Sequence, residues 1–240
     1  MTDTTTDTFF NGRLQVRQPR TGYRFSIDAV LLAHLAEPRP RDRVLELGTG
    51  CGIVSLILAH RMPGVRVTAV ELQAELAELA RENVRRNGLE ARIAVVEADL
   101  RTLWPKGAGG PFDLVLSNPP YRRRRSGRIN PDPQKAVARH EIESRLSDVI
   151  AAARRLLTRS GRFAVIYPAE RAAELLTEMC AARIEPKQMR AIHSRLDAEA
   201  KLVMVEGASG AGPALKIGPP LAVYGDDGKY TPQVAAMFQG

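Results

Sequence analysis

Short, nearly unbroken apolar blocks alternate with longer amphipathic stretches along this chain. Arg43 to Leu47, Val65 to Val70, Ile93 to Val96, Phe112 to Ser117 and Arg162 to Ile166 read as strands buried on both faces. Ile53 to His60, Leu146 to Leu157 and Ala169 to Ala181 read as the helices between them. A further helix carries Leu72, Leu76, Leu79, Ala80 and Val84 on one face and stops at Asn87-Gly88. This alternation predicts a parallel sheet with helices on both faces. Gln188 to Ile192 and Leu202 to Val205 are predicted as the sixth and seventh strands, a hairpin that makes one of them antiparallel. Leu215 to Tyr224, with Gly218-Pro219-Pro220 inside it, is expected as a short edge ribbon.

The N-terminal piece differs in character. Asn11-Gly12 between Phe9-Phe10 and Arg13-Leu14 signals a hairpin, and Ile27 to Leu35 reads as a helix with Asp28 in its first turn. The expected organisation is a disordered threonine-rich tail over 1–8 and one domain over 9–240. Within it a cap spans 9–42, a core 43–206 and a C-terminal edge ribbon 207–240. The fold class is α/β: a seven-stranded, mostly parallel, Rossmann-like sheet with a small hairpin-and-helix cap.

Composition changes the picture in two respects. With 35 Lys and Arg against 27 Asp and Glu, the net charge is +8, which favours a polyanionic partner. Cys51 and Cys180 stand far apart without metal-ligand spacing. They predict a reduced, cytoplasmic protein with no metal. No stretch reads as a signal peptide or a membrane span.

Candidate chemistry sits at the ends of the predicted strands. Glu46-Leu47-Gly48-Thr49-Gly50-Cys51-Gly52 is a glycine-rich turn from strand to helix, where bare backbone can lie against a ligand. A dinucleotide site usually has a different glycine spacing. A carboxylate at Glu46 would repel a pyrophosphate and suits a cationic amino-acid ligand. Glu71, beside Leu72, ends the second strand and can accept from two ribose hydroxyls. Asp99, beside Leu100, follows the third and can accept from an adenine amine. Each acid alone could cap a helix; all of them at consecutive strand ends point to the crevice where open α/β sheets bind ligands.

Asn118-Pro119-Pro120-Tyr121 follows the fourth strand. Neither proline can extend a ladder, so the backbone there is rigid. The Asn118 side-chain oxygen and the Pro119 carbonyl can take the two N–H groups of a planar exocyclic amine, while Tyr121 stacks on its ring. Adenine N6, cytosine N4, guanine N2 and a glutamine amide all present such an amine. Arg122, Arg123, Arg124, Arg125 and Arg128 follow at once, a candidate phosphate clamp. His140 can serve as a base or a helix cap and is assigned no role.

These motifs resemble the S-adenosylmethionine-dependent amino-methyltransferases that carry Asn-Pro-Pro-Tyr. Gln18 to Leu32 is similar to the entry segment of a bacterial family that N6-methylates the adenine beside the anticodon of a valine tRNA. The likeness continues through Glu46 to Gly52, Asn118 to Tyr121, Ala138 to Glu141 and Pro219-Pro220-Leu221. Two departures are the more basic Arg122 to Arg125 run and a longer loop around Gly107 to Gly110. The resemblance implies a class I methyltransferase sheet, S-adenosyl-L-methionine as cofactor and tRNA as substrate. It implies that Arg24, Phe25, Ser26 and Asp28 close over the methionine end of the cofactor, and that Glu46, Gly48, Thr49, Gly50, Gly52, Glu71, Leu72, Asp99, Leu100 and Asn118 hold the rest. A protein glutamine-N5 or ribosomal guanine-N2 methyltransferase, and an RNA-binding protein without activity, are the alternatives. A nicotinamide oxidoreductase fits less well, because no tyrosine–lysine or histidine pair accompanies the glycine turn.

Overall fold

The computed structural model describes residues 3–21, 24–119 and 145–239. Its central sheet is built from β3 (Arg43–Leu47), β4 (Arg66–Glu71), β5 (Ile93–Glu97), β6 (Phe112–Ser117), β7 (Leu157–Pro168), β8 (Ile184–His193) and β9 (Ala200–Ser209). Their order is β8-β9-β7-β6-β3-β4-β5, and β9 runs antiparallel between β7 and β8, as the hairpin expectation required. Two short additions, β10 (Lys216–Ile217) and β11 (Leu221–Ala222), pair with the outer edge of β8, so among the described residues the sheet has nine strands rather than seven. They cover an edge that would otherwise offer free N–H and C=O groups.

Two apolar layers fix the sheet. On one face Val44, Leu114 and Leu116 pack against α1 (Ile27–Leu35), α2 (Ile53–Arg61) and α3 (Ala74–Arg86). On the other, Leu45, Leu47 and Val115 pack against α4 (Pro105–Ala108), α5 (Leu146–Leu156) and α6 (Ala172–Ala181). Alternate residues of one strand thus feed opposite cores, which is why these strands read as continuous apolar runs.

The structure departs from expectation in three further places. Thr4 to Thr8, expected as part of a frayed tail, forms β1 (Thr4–Phe9) and pairs along its length with β2 (Leu14–Pro19). Threonine is β-branched and suits a pleated strand, so a threonine-rich start is strand material once it has a partner. A C-terminal helix, α7 (Pro232–Gln239), lies inside the region expected only as ribbon. Its Phe238 ring stacks on Phe9 at 5.7 Å, and its carbonyl accepts the Phe10 N–H at 2.7 Å. Residues 169–171 form a 3-10 turn before α6 rather than its first helical turn.

The free edge of β2 is closed by side chains instead of a third strand. Asn83, fully buried on α3, accepts the Arg17 N–H at 2.8 Å and donates to the Arg17 carbonyl at 2.8 Å. One turn on, Asn87 does the same for Gln15, at 2.9 and 2.7 Å. Two amides four residues apart on a helix meet two residues two apart on a strand, because both spacings cover about 6–7 Å.

Candidate active site

β3 lies between β4 and β6, and the register is the key to the site. Leu47 stands opposite Val70 on one side and Ser117 on the other. The next residue along each strand is Gly48, Glu71 and Asn118. These three therefore stand in a row across the carboxyl ends of neighbouring strands, about 5 Å per step. The chain winds away from β3 in both directions, making this the switch point where ligands bind in open α/β sheets. Ser117 Oγ donates to the Leu47 carbonyl at 3.0 Å and ties the end of β6 to that of β3.

The glycine turn is held by its own neighbours. The N–H groups of Gly48 and Thr49 both reach the Val70 carbonyl at 2.9 Å, and Gly50 N–H reaches Glu71 Oε2 at 2.8 Å. Gly48 sits at φ +74°, a conformation in which a Cβ is strained whatever the space around it. At Gly52 the close approach matters as well: a Cβ there would lie 3.4 Å from that of Ala80 on α3.

Glu46 is 2 % exposed and faces α2. Its Oε2 accepts the Thr49 hydroxyl at 2.7 Å, the Ser55 N–H at 3.0 Å and the Ser55 hydroxyl. Ser55 is the third residue of α2, so a carboxylate from the preceding strand fills the capping role that Gly52 has no side chain to play. Among the described residues these bonds all fall on Oε2 and leave Oε1 for a ligand. Burial pushes this carboxyl up to about 7, and the bonds from Ser55 and Thr49 only partly offset it.

Glu71 and Asp99 share a device. Glu71 Oε1 accepts the Gln73 N–H at 2.9 Å, and Asp99 Oδ1 the Arg101 N–H at 2.8 Å. Both acids thus start the turn that follows their strand. The capping reading of all three acids is realised; it leaves each free to accept a further hydrogen bond, because a carboxylate oxygen has more than one lone pair. Asp99 is further clasped by the Arg101 guanidinium, at 2.9 Å from Nε and 2.6 Å from Nη2 to Oδ2, which holds its carboxyl below the usual range. Leu72 is 38 % exposed next to Glu71, whereas Leu100 is buried in the second core.

Arg24 to Asp28 lead into α1. The far end of α1 is fixed near the start of β3, where Arg162 bonds Asp42 at 2.8 Å and the Glu37 carbonyl at 3.2 Å. The 24–28 segment therefore lies toward the carboxyl ends of the strands. Its contacts run to the hairpin: Arg24 Nη1 donates to Thr5 Oγ1 at 2.9 Å and the Pro19 carbonyl at 3.1 Å, and Phe25 N–H to Gln18 Oε1 at 3.2 Å. Ser26 Oγ donates to Asp28, which is itself buried.

Asn118 is half-buried and Pro119 buried. Pro120, Tyr121, Arg122 to Arg125, Arg128 and Ala138 to Glu141 lie outside the described residues. Sequence reasoning missed Ser55, Asn83 and Ser117, whose roles depend on which elements meet. Asn83 carries the farthest reach: besides Arg17 it donates to the Cys51 carbonyl at 2.9 Å, joining hairpin, helix and glycine turn through one amide. Both cysteines are free thiols, and among the described residues no cluster of His, Cys, Asp or Glu could hold a metal.

A sheet of this order, with a glycine turn and acids at its switch point, defines a class I methyltransferase. Residues 27–184 match the family model described as methyltransferase small domain. The tRNA1(Val) (adenine(37)-N6)-methyltransferase of Aeromonas hydrophila is 36% identical over 167 residues, which cover 68% of this chain and 67% of the relative. That of Porphyromonas gingivalis is 31% identical over 207 residues, covering 84% and 80%. Among solved structures, a predicted O-methyltransferase of Agrobacterium tumefaciens superposes with a TM-score of 0.71 at 27% identity, covering 88% of this chain and 94% of that one. The chain belongs to the methyltransferase small-domain family, together with the tRNA1(Val) (adenine(37)-N6)-methyltransferases.

Proposed function

We infer that this chain is an S-adenosylmethionine-dependent N-methyltransferase that modifies adenine N6 in a tRNA near the anticodon, working in the cytoplasm. The observation that carries the reading is the row of Gly48, Glu71 and Asn118 across β3, β4 and β6. On this reading Gly48 would begin a backbone cradle, Glu71 would accept from a ribose and Asn118 from an amine, side by side.

The residues fit the cofactor. Glu46 Oε1 would accept from its ammonium group, the backbone of Gly48 to Gly52 would lie along its amino-acid end, and Glu71 would take the ribose hydroxyls. Arg24 to Asp28 would cover the methionine end. Leu72, exposed beside Glu71, would pack on the adenine, with Leu100 supporting the turn from within the core. Asp99 would reach the adenine amine once its Arg101 clasp opens. Bound there, the cofactor supplies a sulfonium methyl group.

The protein's task is then positional. N6 of adenine is a weak nucleophile because its lone pair is delocalised into the ring. The Asn118 side-chain oxygen and the Pro119 carbonyl would each accept one N–H, so that the N6 lone pair turns out of the ring plane toward the cofactor site; the cofactor would supply the methyl group, and the proton displaced from N6 would pass to water. Pro120 would keep that backbone rigid and Tyr121 stack on the base, which must leave its own stack to reach the pocket. Arg122 to Arg125 and Arg128 would hold the phosphates.

Transfer of labelled methyl groups into unmodified bulk tRNA, followed by mass spectrometry of the nucleosides, tests this. N6-methyladenosine is expected. Label appearing only in guanine N2 of ribosomal RNA, or in protein glutamine, would overturn the substrate, and absence of cofactor binding would overturn the reaction.

A further inference from the structure

Trp104 is the chain's one tryptophan, and at 64 % it is the most exposed of its buried-or-exposed large aromatic side chains in the described structure. Leaving a tryptophan in water forgoes the burial of one of the largest apolar surfaces a side chain offers. This one is nevertheless held in place. The Arg155 guanidinium stands over its ring, 5.3 Å from the centroid. Arg155 in turn is anchored on backbone: Nε donates to the Leu103 carbonyl at 2.8 Å and Nη2 to the Leu100 carbonyl at 2.7 Å, with Arg101 O at 3.3 Å. The ring also sits at the N-cap of α4, just ahead of Pro105. With a fixed cation behind one face, its exposure falls on the other face and the edge.

Its surroundings are basic. Lys106 and Arg154 are exposed, and among the described residues neither forms an ion pair. Of the acids on these elements, Asp99 is committed to Arg101 and Asp148 to the Arg145 N–H at 2.9 Å. A rigid aromatic plane backed by an arginine, with exposed cations on the same elements, is a combination that single-stranded nucleic acid binds, by base stacking on the ring and phosphate contacts around it. Trp104 belongs to the segment that leaves the carboxyl end of β5 at Asp99 and enters β6 at its amino end; Arg155, which stands over the ring, just precedes Leu157 opposite Phe112, so the ring lies toward that end of the sheet and outside the pocket.

We propose that Trp104, backed by Arg155, with the exposed Lys106 two residues along the chain and the exposed Arg154 next to Arg155 on α5, is a second RNA contact, stacking an unpaired base of the substrate RNA outside the catalytic pocket. This rests on the tRNA reading above. Because Trp104 is the chain's only indole, its fluorescence reports on this surface alone. Titrating the wild-type protein with unmodified tRNA should quench its emission saturably. Trp104→Ala should raise KM for tRNA about tenfold, and Trp104→Phe by less, with kcat and cofactor affinity unchanged in both. Neither change should alter the salt dependence of RNA binding, whereas Lys106→Ala and Arg154→Ala should each lower its slope by about one. A role of the ring in folding alone would leave KM for tRNA where it was. Wild-type methylation of tRNA with unquenched emission, or with an unmoved KM in Trp104→Ala, overturns the contact and leaves the function standing. No methylation or binding of tRNA by the wild type overturns both.

Discussion

The glycine turn and the N-terminal hairpin flank the same helix, α3, and are held by different means. In the turn, hydrogen bonds come from residues close in the chain or on the adjacent strand: Thr49 and Ser55 to Glu46, and Gly50 to Glu71. In the hairpin they come from far away: Arg17 to Asn83, Gln15 to Asn87, and Phe10 to Phe238. The turn is thus fixed by the local fold of two βα units, and the cap by tertiary contact. Asn83 is where the two systems meet, since its amide serves both Arg17 and Cys51. The turn should accordingly respond to changes in its own carboxylates, and the cap to changes on α3 and α7.

The largest effect concerns Glu46. Its carboxyl keeps its proton to about 7 in the folded chain, against 4.5 ordinarily, so the native state binds the proton more tightly than the unfolded state. The resulting stabilisation is full below about pH 4.5 and lost as pH rises through 7; it amounts to about 3 kcal/mol. His34 works in the opposite sense. Burial and the Arg61 charge lower it to about 4, so its contribution is full above 6.5 and lost as pH falls toward 4. The two oppose each other over the shared window. Denaturant unfolding of Glu46→Gln should therefore gain stability relative to wild type as pH rises from 4.5 to 7. A difference independent of pH would contradict the assignment.

Next comes the junction. Asn83→Ala leaves the Arg17 N–H and the Arg17 and Cys51 carbonyls without their partner, at a cost of about 2–3 kcal/mol. Thermal unfolding should show that loss, and cofactor affinity should fall with it, because the turn loses its anchor. Retained affinity would mean that the turn is held independently of the cap. A smaller cost, about 1–2 kcal/mol, is expected for Gly48→Ala, where a side chain enters the left-handed region. Asn87→Ala, at a half-buried position, should cost about 1 kcal/mol and leave the cofactor site untouched; equal costs at Asn83 and Asn87 would erase the distinction between junction and cap.

The same contrast explains what could be read from the sequence. β3, β6 and α1 fall on their expected residues, and the other central strands overlap theirs with ends shifted by up to about five residues, because burial on both faces leaves unbroken apolar runs. Glu46, Glu71 and Asn118 were legible as site candidates since their positions follow from strand ends alone. That the acids also cap the following turns and helix was open at that stage and was decided by the register. The strand at Thr4–Phe9 was not legible, because its polar, threonine-rich sequence forms a strand only with β2 beside it. Nor was α7, whose apolar face is defined by Phe9 and Tyr230, one at the other end of the chain. Asn83 gave no signal: a buried asparagine on an amphipathic helix has meaning only when its three backbone partners are known.

The proposed transfer turns on Asn118 orienting the amine, with its contact to the cofactor a minor part of cofactor affinity. The direct test is Asn118→Ala, with cofactor binding measured by calorimetry and methyl transfer to tRNA measured in a single turnover. Loss of one preorganised polar contact in the transition state predicts a fall in transfer of about 100-fold or more, with cofactor affinity little changed. Transfer at the wild-type rate, or a loss of cofactor binding that accounts for the whole defect, would contradict it.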